Sequence, residues 1–156
     1  MTAASSTASG DGAPSGLPST EQIRSAYVAL MGTVPASIET RLALAEQTGR
    51  QSAVATIEAL RHTLIMDNPL GDRVGQLVHF AQLVALGRPG PARLHARAAR
   101  RAGAPVDELV GVAELALITA GMPAYSLGVD IIAELVAEEQ RGEISKEISN
   151  GSGTGS

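Results

Sequence analysis

The sequence predicts an all-α, single-domain bundle of six to seven helices. Three observations lead there. Apolar residues make up 44% of 156, while aromatic residues make up 2%. The apolar weight therefore rests on Ala, Leu, Val and Ile, and Ala and Leu are strong helix formers. Apolar positions recur at helical spacing along most of the chain, and no segment shows a convincing strand pattern. Between those segments stand the residues that start and stop helices.

Each element can be justified in order. Residues 1–18, MTAASSTASGDGAPSGLP, have too little bulk to bury and read as a disordered tail. The folded part is expected over residues 19–148. Ser19 and Gln22 match a capping box; Ile23, Tyr27 and Leu30 then share one face until Gly32 and Pro35. A second helix, residues 36–48, turns Ile38, Leu42 and Ala45 inward and closes on Gly49 in the C′ position. A third, residues 52–66, places Val54, Ile57, Leu60 and Leu64 in one register, expected to be the buried one. Asp67-Asn68-Pro69-Leu70-Gly71 is a turn. A fourth, residues 72–86, has an apolar stripe of Val74, Leu77, Val78, Ala81 and Val84 or Ala85. Arg73, Gln76 and His79 form its second, polar stripe. After the loop at 87–91, a fifth helix covers residues 92–102. Arg93, Arg97, Arg100 and Arg101 mark its outer face; Leu94, His95, Ala98, Ala99 and Ala102 mark its inner face. A sixth, residues 106–120, is apolar almost all round, with Glu114 its one charge from Leu109 onward. Gly121-Met122-Pro123 interrupts it, and a last helix runs to residue 140 with Asp130, Glu134 and Glu138 as its wet stripe. Residues 149–156, SNGSGTGS, read as a flexible tail. A helix that is apolar all round must be covered on all sides. A bundle this small cannot do that alone, so the sixth helix predicts a homo-oligomer.

Composition narrows the function. With Cys 0 there is no disulfide framework, thiolate zinc site, iron–sulfur cluster or thiol nucleophile. The aromatic residues are Tyr27, Phe80 and Tyr125, too few for stacking on nucleic-acid bases, and a net charge of −4 argues the same way. The N-terminal residues lack the basic and apolar regions of a signal peptide, and no run of about 18 apolar residues could span a bilayer. The expectation is a cytoplasmic protein with neither nucleic acid nor membrane as partner. His62, His79 and His95 fall on different predicted helices, none with a second ligand at i+3 or i+4, so no metal site is expected. No glycine-rich phosphate loop follows a strand, and no cofactor is expected.

Four features could carry chemistry. His95 lies on the inward face of its helix, either as an acid/base group in a pocket or as a core histidine satisfied by a backbone carbonyl. Arg73, Gln76 and His79 either line a carboxylate-gripping pocket or form a solvated face. Glu114 is a carboxylate in an apolar helix. Burying it unpaired would be costly, so it should have a partner (a His, an Arg or a subunit across an interface), as a structural ion pair or a catalytic base. The arginine face from Arg93 to Arg101 could hold phosphates, but fits a solvated face or intersubunit salt bridges better. Arg88, just before the His95 helix, is better placed than those arginines to enter a pocket.

The run from His79 to Ala124 resembles the carboxymuconolactone decarboxylase family, which has the all-helical alkyl hydroperoxidase fold. The matching elements are Ala85-Leu86-Gly87-Arg88, Leu94-His95-x-Arg97-Ala98, Gly103, Asp107-Glu108-Leu109 and Ala120-Gly121-x-Pro123, with Leu70-Gly71-Asp72-Arg73 upstream. The spacing extends the resemblance over nearly all of the folded part. The peroxidase arm of the family uses a Glu, a Cys-x-x-Cys pair and a His. The resemblance places that His at His95, the cysteines at Arg88 and Pro91, and the Glu at Gln76, so thiol peroxidase chemistry is excluded. The decarboxylase arm needs no cysteine. This chain departs from it by lacking tryptophans in residues 59–69, a second Arg at Gly75 and a His at Leu115.

The resemblance implies a cofactor-free carboxy-lyase acting on a small carboxylated lactone or ketone, and a homo-oligomer, trimeric or hexameric. His95 and Glu114 would be its catalytic residues, with His95 as proton donor. Arg88 or Arg73 would anchor the carboxylate, and Gln76 and His79 would line the pocket. Two alternatives stand beside this reading. One is a tailoring enzyme of secondary metabolism on the same fold, a decarboxylase, isomerase or cyclase. The other is a non-catalytic helical oligomer that has lost the site.

Overall fold

The computed structural model describes residues 16–151, with side chains described as far as residue 142. Among the described residues there are seven helices and no strand: α1 (Thr20–Met31), α2 (Ala36–Gln47), α3 (Gln51–Met66), α4 (Gly71–Ala85), α5 (Pro89–Arg101), α6 (Val106–Ala120) and α7 (Met122–Gly151). Of the tails expected at residues 1–18 and 149–156, residues 1–15 and 152–156 lie outside the described residues, and residues 149–151 are helical instead, as the end of α7. α7 runs on to Gly151, past the stop expected at residue 140. None of these helices is long and apolar enough to cross a membrane.

The helix ends follow local chemistry. Ser19 Oγ accepts from the Gln22 N–H at 3.2 Å, and Gln22 Oε1 accepts from the Ser19 N–H at 2.7 Å, closing the capping box on α1. Gly49 follows the last cap of α2 at φ +66°, in the left-handed region that glycine enters without a Cβ clash.

Two apolar clusters hold the bundle. The larger joins α4 to α7 around Phe80, Val84, Leu109 and Ile131, with Ala92, Ala96, Ala99 and Ala113 packed among them. The smaller joins α1, α2 and α3 through Ile23, Tyr27, Ile38, Leu42 and Val54, with Leu94 of α5 against it. α5 therefore serves both clusters. Small side chains set the close approach of the helices. A Cβ on Gly128 would stand 2.8 Å from the Ala113 Cβ, so α6 and α7 meet where α7 has no side chain. The arginine face of α5 is used within the chain: Arg93, Arg97 and Arg100 pair with Glu134, Glu138 and Glu139 of α7 at 2.6, 2.7 and 2.9 Å. Exposed pairs of this kind contribute only about 0–1 kcal/mol each, but three in a row fix the direction of α7.

Three helices sit differently from their sequence patterns. On α3, Val54 is buried as expected, but Ile57, Leu60 and Leu64 are exposed and Ala55 and Glu58 face inward. The helix turns this way because α1 and α2 offer donors to the Glu58 carboxylate, which outweighs the apolar row. On α4 the inward line is Gln76, Phe80 and Val84, one residue in every four. The bulk of Phe80, fully buried, sets that rotation and leaves Val74 and Val78 exposed. On α6, Leu109, Ala113 and Ala116 face the core. That turns Glu114, Leu115 and Ile118 outward, Leu115 and Ile118 being 70% and 83% exposed. Within one chain Glu114 is thus exposed and needs no partner to offset desolvation.

Candidate functional site

The buried polar residues of the described chain are Glu58, Gln76 and His95. Two of them touch. His95 Nδ1 and Gln76 Oε1 are 2.7 Å apart. An amide oxygen only accepts, so in this arrangement Nδ1 carries the proton and donates it, leaving Nε2 with its lone pair. Gln76 Nε2 has no hydrogen-bond partner among the described residues. His79 stacks on His95, ring centroids 4.6 Å apart and planes within 12°. Burial is the main force on these imidazoles. It pushes His95 down to about 4, and the nearby His79 and the positive charge of Arg61 act in the same direction. His79 is lowered too, by burial and then by Arg61. A carboxylate at position 76 would oppose this by pairing with the imidazolium; a neutral amide does not. The pair is therefore uncharged near neutral pH, with one ring nitrogen free to accept.

Keeping His95 uncharged couples it to stability. Its folded value lies below the ordinary histidine value of 6.5, so between those limits the unfolded chain binds the extra proton. The contribution is complete above pH 6.5 and is lost as the pH falls towards 4. Over that window it amounts to about 3 kcal/mol. Urea unfolding at pH 7 and pH 4.5 should show a larger acid loss in the wild type than in His95→Asn. Equal losses would mean that His95 is not held uncharged by burial.

A second polar cluster lies on α1, α2 and α3. Glu58 accepts from the Tyr27 hydroxyl at 3.0 Å and from Arg41 at 2.8 Å. Arg61 lies 4.7 Å over the Tyr27 ring and 3.6 Å from Glu58 Oε2. Burial first, with help from the Glu58 charge, pushes the Tyr27 phenol up to about 12, so Tyr27 stays a hydrogen-bond donor. Two cavities flank α3. One, of about 700 Å³, lies between α1 and α3 and is lined by Tyr27, Glu58, Arg61 and His62 among apolar side chains. The other, of about 190 Å³, lies between α3 and α4, with His79, Asn68 and Gln82 on its wall.

The six residues singled out from the sequence thus divide. Gln76, His79 and His95 come together, and His79 connects them to the smaller cavity. Arg73 is exposed and paired with Glu108 of α6, so its guanidinium is already engaged. Arg88 caps the start of α5, exposed, and lines neither cavity. Glu114 is exposed on α6 and lines neither cavity. Sequence reasoning missed Arg61, whose charge reaches both imidazoles, and with it Tyr27 and Glu58. One signal was available: Glu58 is the single acid in α3, set between Ile57 and Leu60. Among the described residues no group of three or more acidic or histidine side chains could hold a metal ion.

No curated protein and no solved structure matches the chain. A family profile does: the match to the carboxymuconolactone decarboxylase family spans residues 51–134, from the start of α3 into α7 and over more than half of the sequence. It contains Gln76, His79, His95 and Arg61. The chain belongs to the carboxymuconolactone decarboxylase family.

Proposed function

We propose that the protein is a cofactor-free carboxy-lyase acting on a small carboxylated lactone or ketone, with His95 as its proton-handling residue. The observation that carries this reading is the buried His95, held by the Gln76 amide and stacked on His79, which itself lines a cavity of about 190 Å³. A carboxylic acid has an ordinary value near 4, and burial has brought His95 to about the same level. A proton can then pass from the substrate carboxyl group to His95 Nε2 with little energetic cost. The resulting carboxylate loses CO₂. The electron pair of the broken C–C bond moves onto the neighbouring carbonyl, giving an enolate. The imidazolium, more acidic than an ordinary one, returns the proton to carbon.

A homo-oligomer fits the same reading. Leu64, Leu70 and Val78 line the smaller cavity and are exposed in a single chain, as are Leu115 and Ile118 on α6. A second copy of the chain would cover such surface and close the cavity around its ligand.

The test is CO₂ release by the purified protein from carboxymuconolactone and from a panel of carboxylated lactones and β-keto acids, with no cofactor added. Stoichiometric CO₂ and decarboxylated product from at least one of them are expected. A folded protein that releases CO₂ from none contradicts the reading and favours a helical oligomer without catalysis.

A further inference from the structure

We infer that the cavity between α1 and α3 binds a large, mainly apolar carboxylic acid, whose carboxylate pairs with Arg61. This site is additional to the lyase centre. Neither His79 nor His95 lines it, whereas His79 lines the smaller cavity.

Size, lining and one arginine carry the inference. The volume of about 700 Å³ falls within the roughly 300–1,000 Å³ of sites that enclose drug-sized molecules. Leu17, Ile23, Ala26, Leu30, Ile65 and Met66 provide apolar walls. The polar end is built around a cation with spare donors. Arg24, Arg41, Arg73, Arg93, Arg97 and Arg100 all hydrogen-bond to carboxylates, and Arg101 reaches a backbone carbonyl. Arg61 lines the cavity, stacks on Tyr27 and forms an ion pair with Glu58 Oε2 at 3.6 Å, beyond hydrogen-bond distance. Its N–H groups therefore have no acceptor among the described residues. Glu58 does not compete strongly for them, because the Tyr27 hydroxyl and Arg41 already hold it. With Arg41 and Arg61 against Glu58, this end of the cavity carries one net positive charge. The Tyr27 ring and the Glu58 charge fix the guanidinium in place, and its planar fork matches the two oxygens of a carboxylate.

The experiment is calorimetric titration of the full chain with decanoate, 1-decanol and acetate. Decanoate should bind saturably, one per chain, with acetate and decanol at least tenfold weaker. Arg61→Gln should weaken decanoate about tenfold or more and leave decanol unchanged. Ala59→Phe, which fills the cavity from α3, should weaken both. His95→Ala should keep decanoate within twofold, which separates this site from the lyase centre whether or not that centre turns over. Should Arg61→Gln fail to fold, the acid–alcohol comparison and Ala59→Phe still decide. Absence of saturable decanoate binding, equal binding of acid and alcohol, or full decanoate affinity in folded Arg61→Gln would each overturn the inference.

Discussion

In Gln76→Glu, His95 should titrate about 1–3 pH units higher than in the wild type. The wild-type imidazole is buried, stacked on a second imidazole and within reach of the Arg61 charge, and its one hydrogen-bond partner is neutral. Every influence on it disfavours the charged form. A carboxylate in place of the amide would sit within about 3 Å of Nδ1 and supply the missing negative partner. The pair would then share a proton across neutral pH. Proton NMR of the imidazole resonances reads the change directly. Gln76→Leu is the control: it removes the hydrogen bond without adding charge, and His95 should stay as low as in the wild type. If Gln76→Glu also leaves His95 near 4, the amide is not what sets its charge. The same substitution bears on activity. If decarboxylation requires one proton shared between substrate acid and His95, kcat/KM falls as pH rises above both of their values. Raising one of those values moves the fall to higher pH by the same amount.

Helix number and order were legible because their signals are local. A capping box at Ser19, a left-handed Gly49 and the Pro and Gly between the later helices each act within a few residues. The contact between Gln76 and His95 was legible for another reason. The resemblance assigned the two positions to one site, and α4 and α5 bring them together. The rotation of α3 was not legible, because its most regular apolar row, Ile57, Leu60 and Leu64, is the exposed one. What turns the helix is Glu58, whose partners Tyr27 and Arg41 lie on two other helices. Each of those residues alone reads as an ordinary surface or core position. Arg73 looked available in the sequence for the same reason, since nothing local announces that Glu108 of α6 will hold it. Long-range pairing of charges, rather than periodicity, decided which arginines are engaged by carboxylates. Glu114 lies exposed beside Leu115 and Ile118 in the single chain, so no described residue of its own chain supplies the partner expected for it.

The second large effect is expected in His95→Ala. General acid–base groups contribute about 10²–10⁴-fold, and His95 performs both proton transfers in the scheme above. Its loss should therefore lower turnover by at least about a hundredfold. The fold should survive, because the helix keeps Ala92, Ala96 and Ala99 in the core. His79→Ala should cost less, since His79 packs against His95 and walls the cavity without the Gln76 contact. The pH profile separates chemistry from packing. Wild-type kcat/KM should rise towards acid pH as the shared proton becomes available, and the residual activity of His95→Ala should follow the substrate acid alone. The most direct measurement is CO₂ release by wild type and His95→Ala from the best acid of the panel, at matched folding and across pH 5–8. The account predicts a loss of about a hundredfold or more with an altered pH dependence. Turnover within a few-fold of wild type, with an unchanged profile, would contradict it.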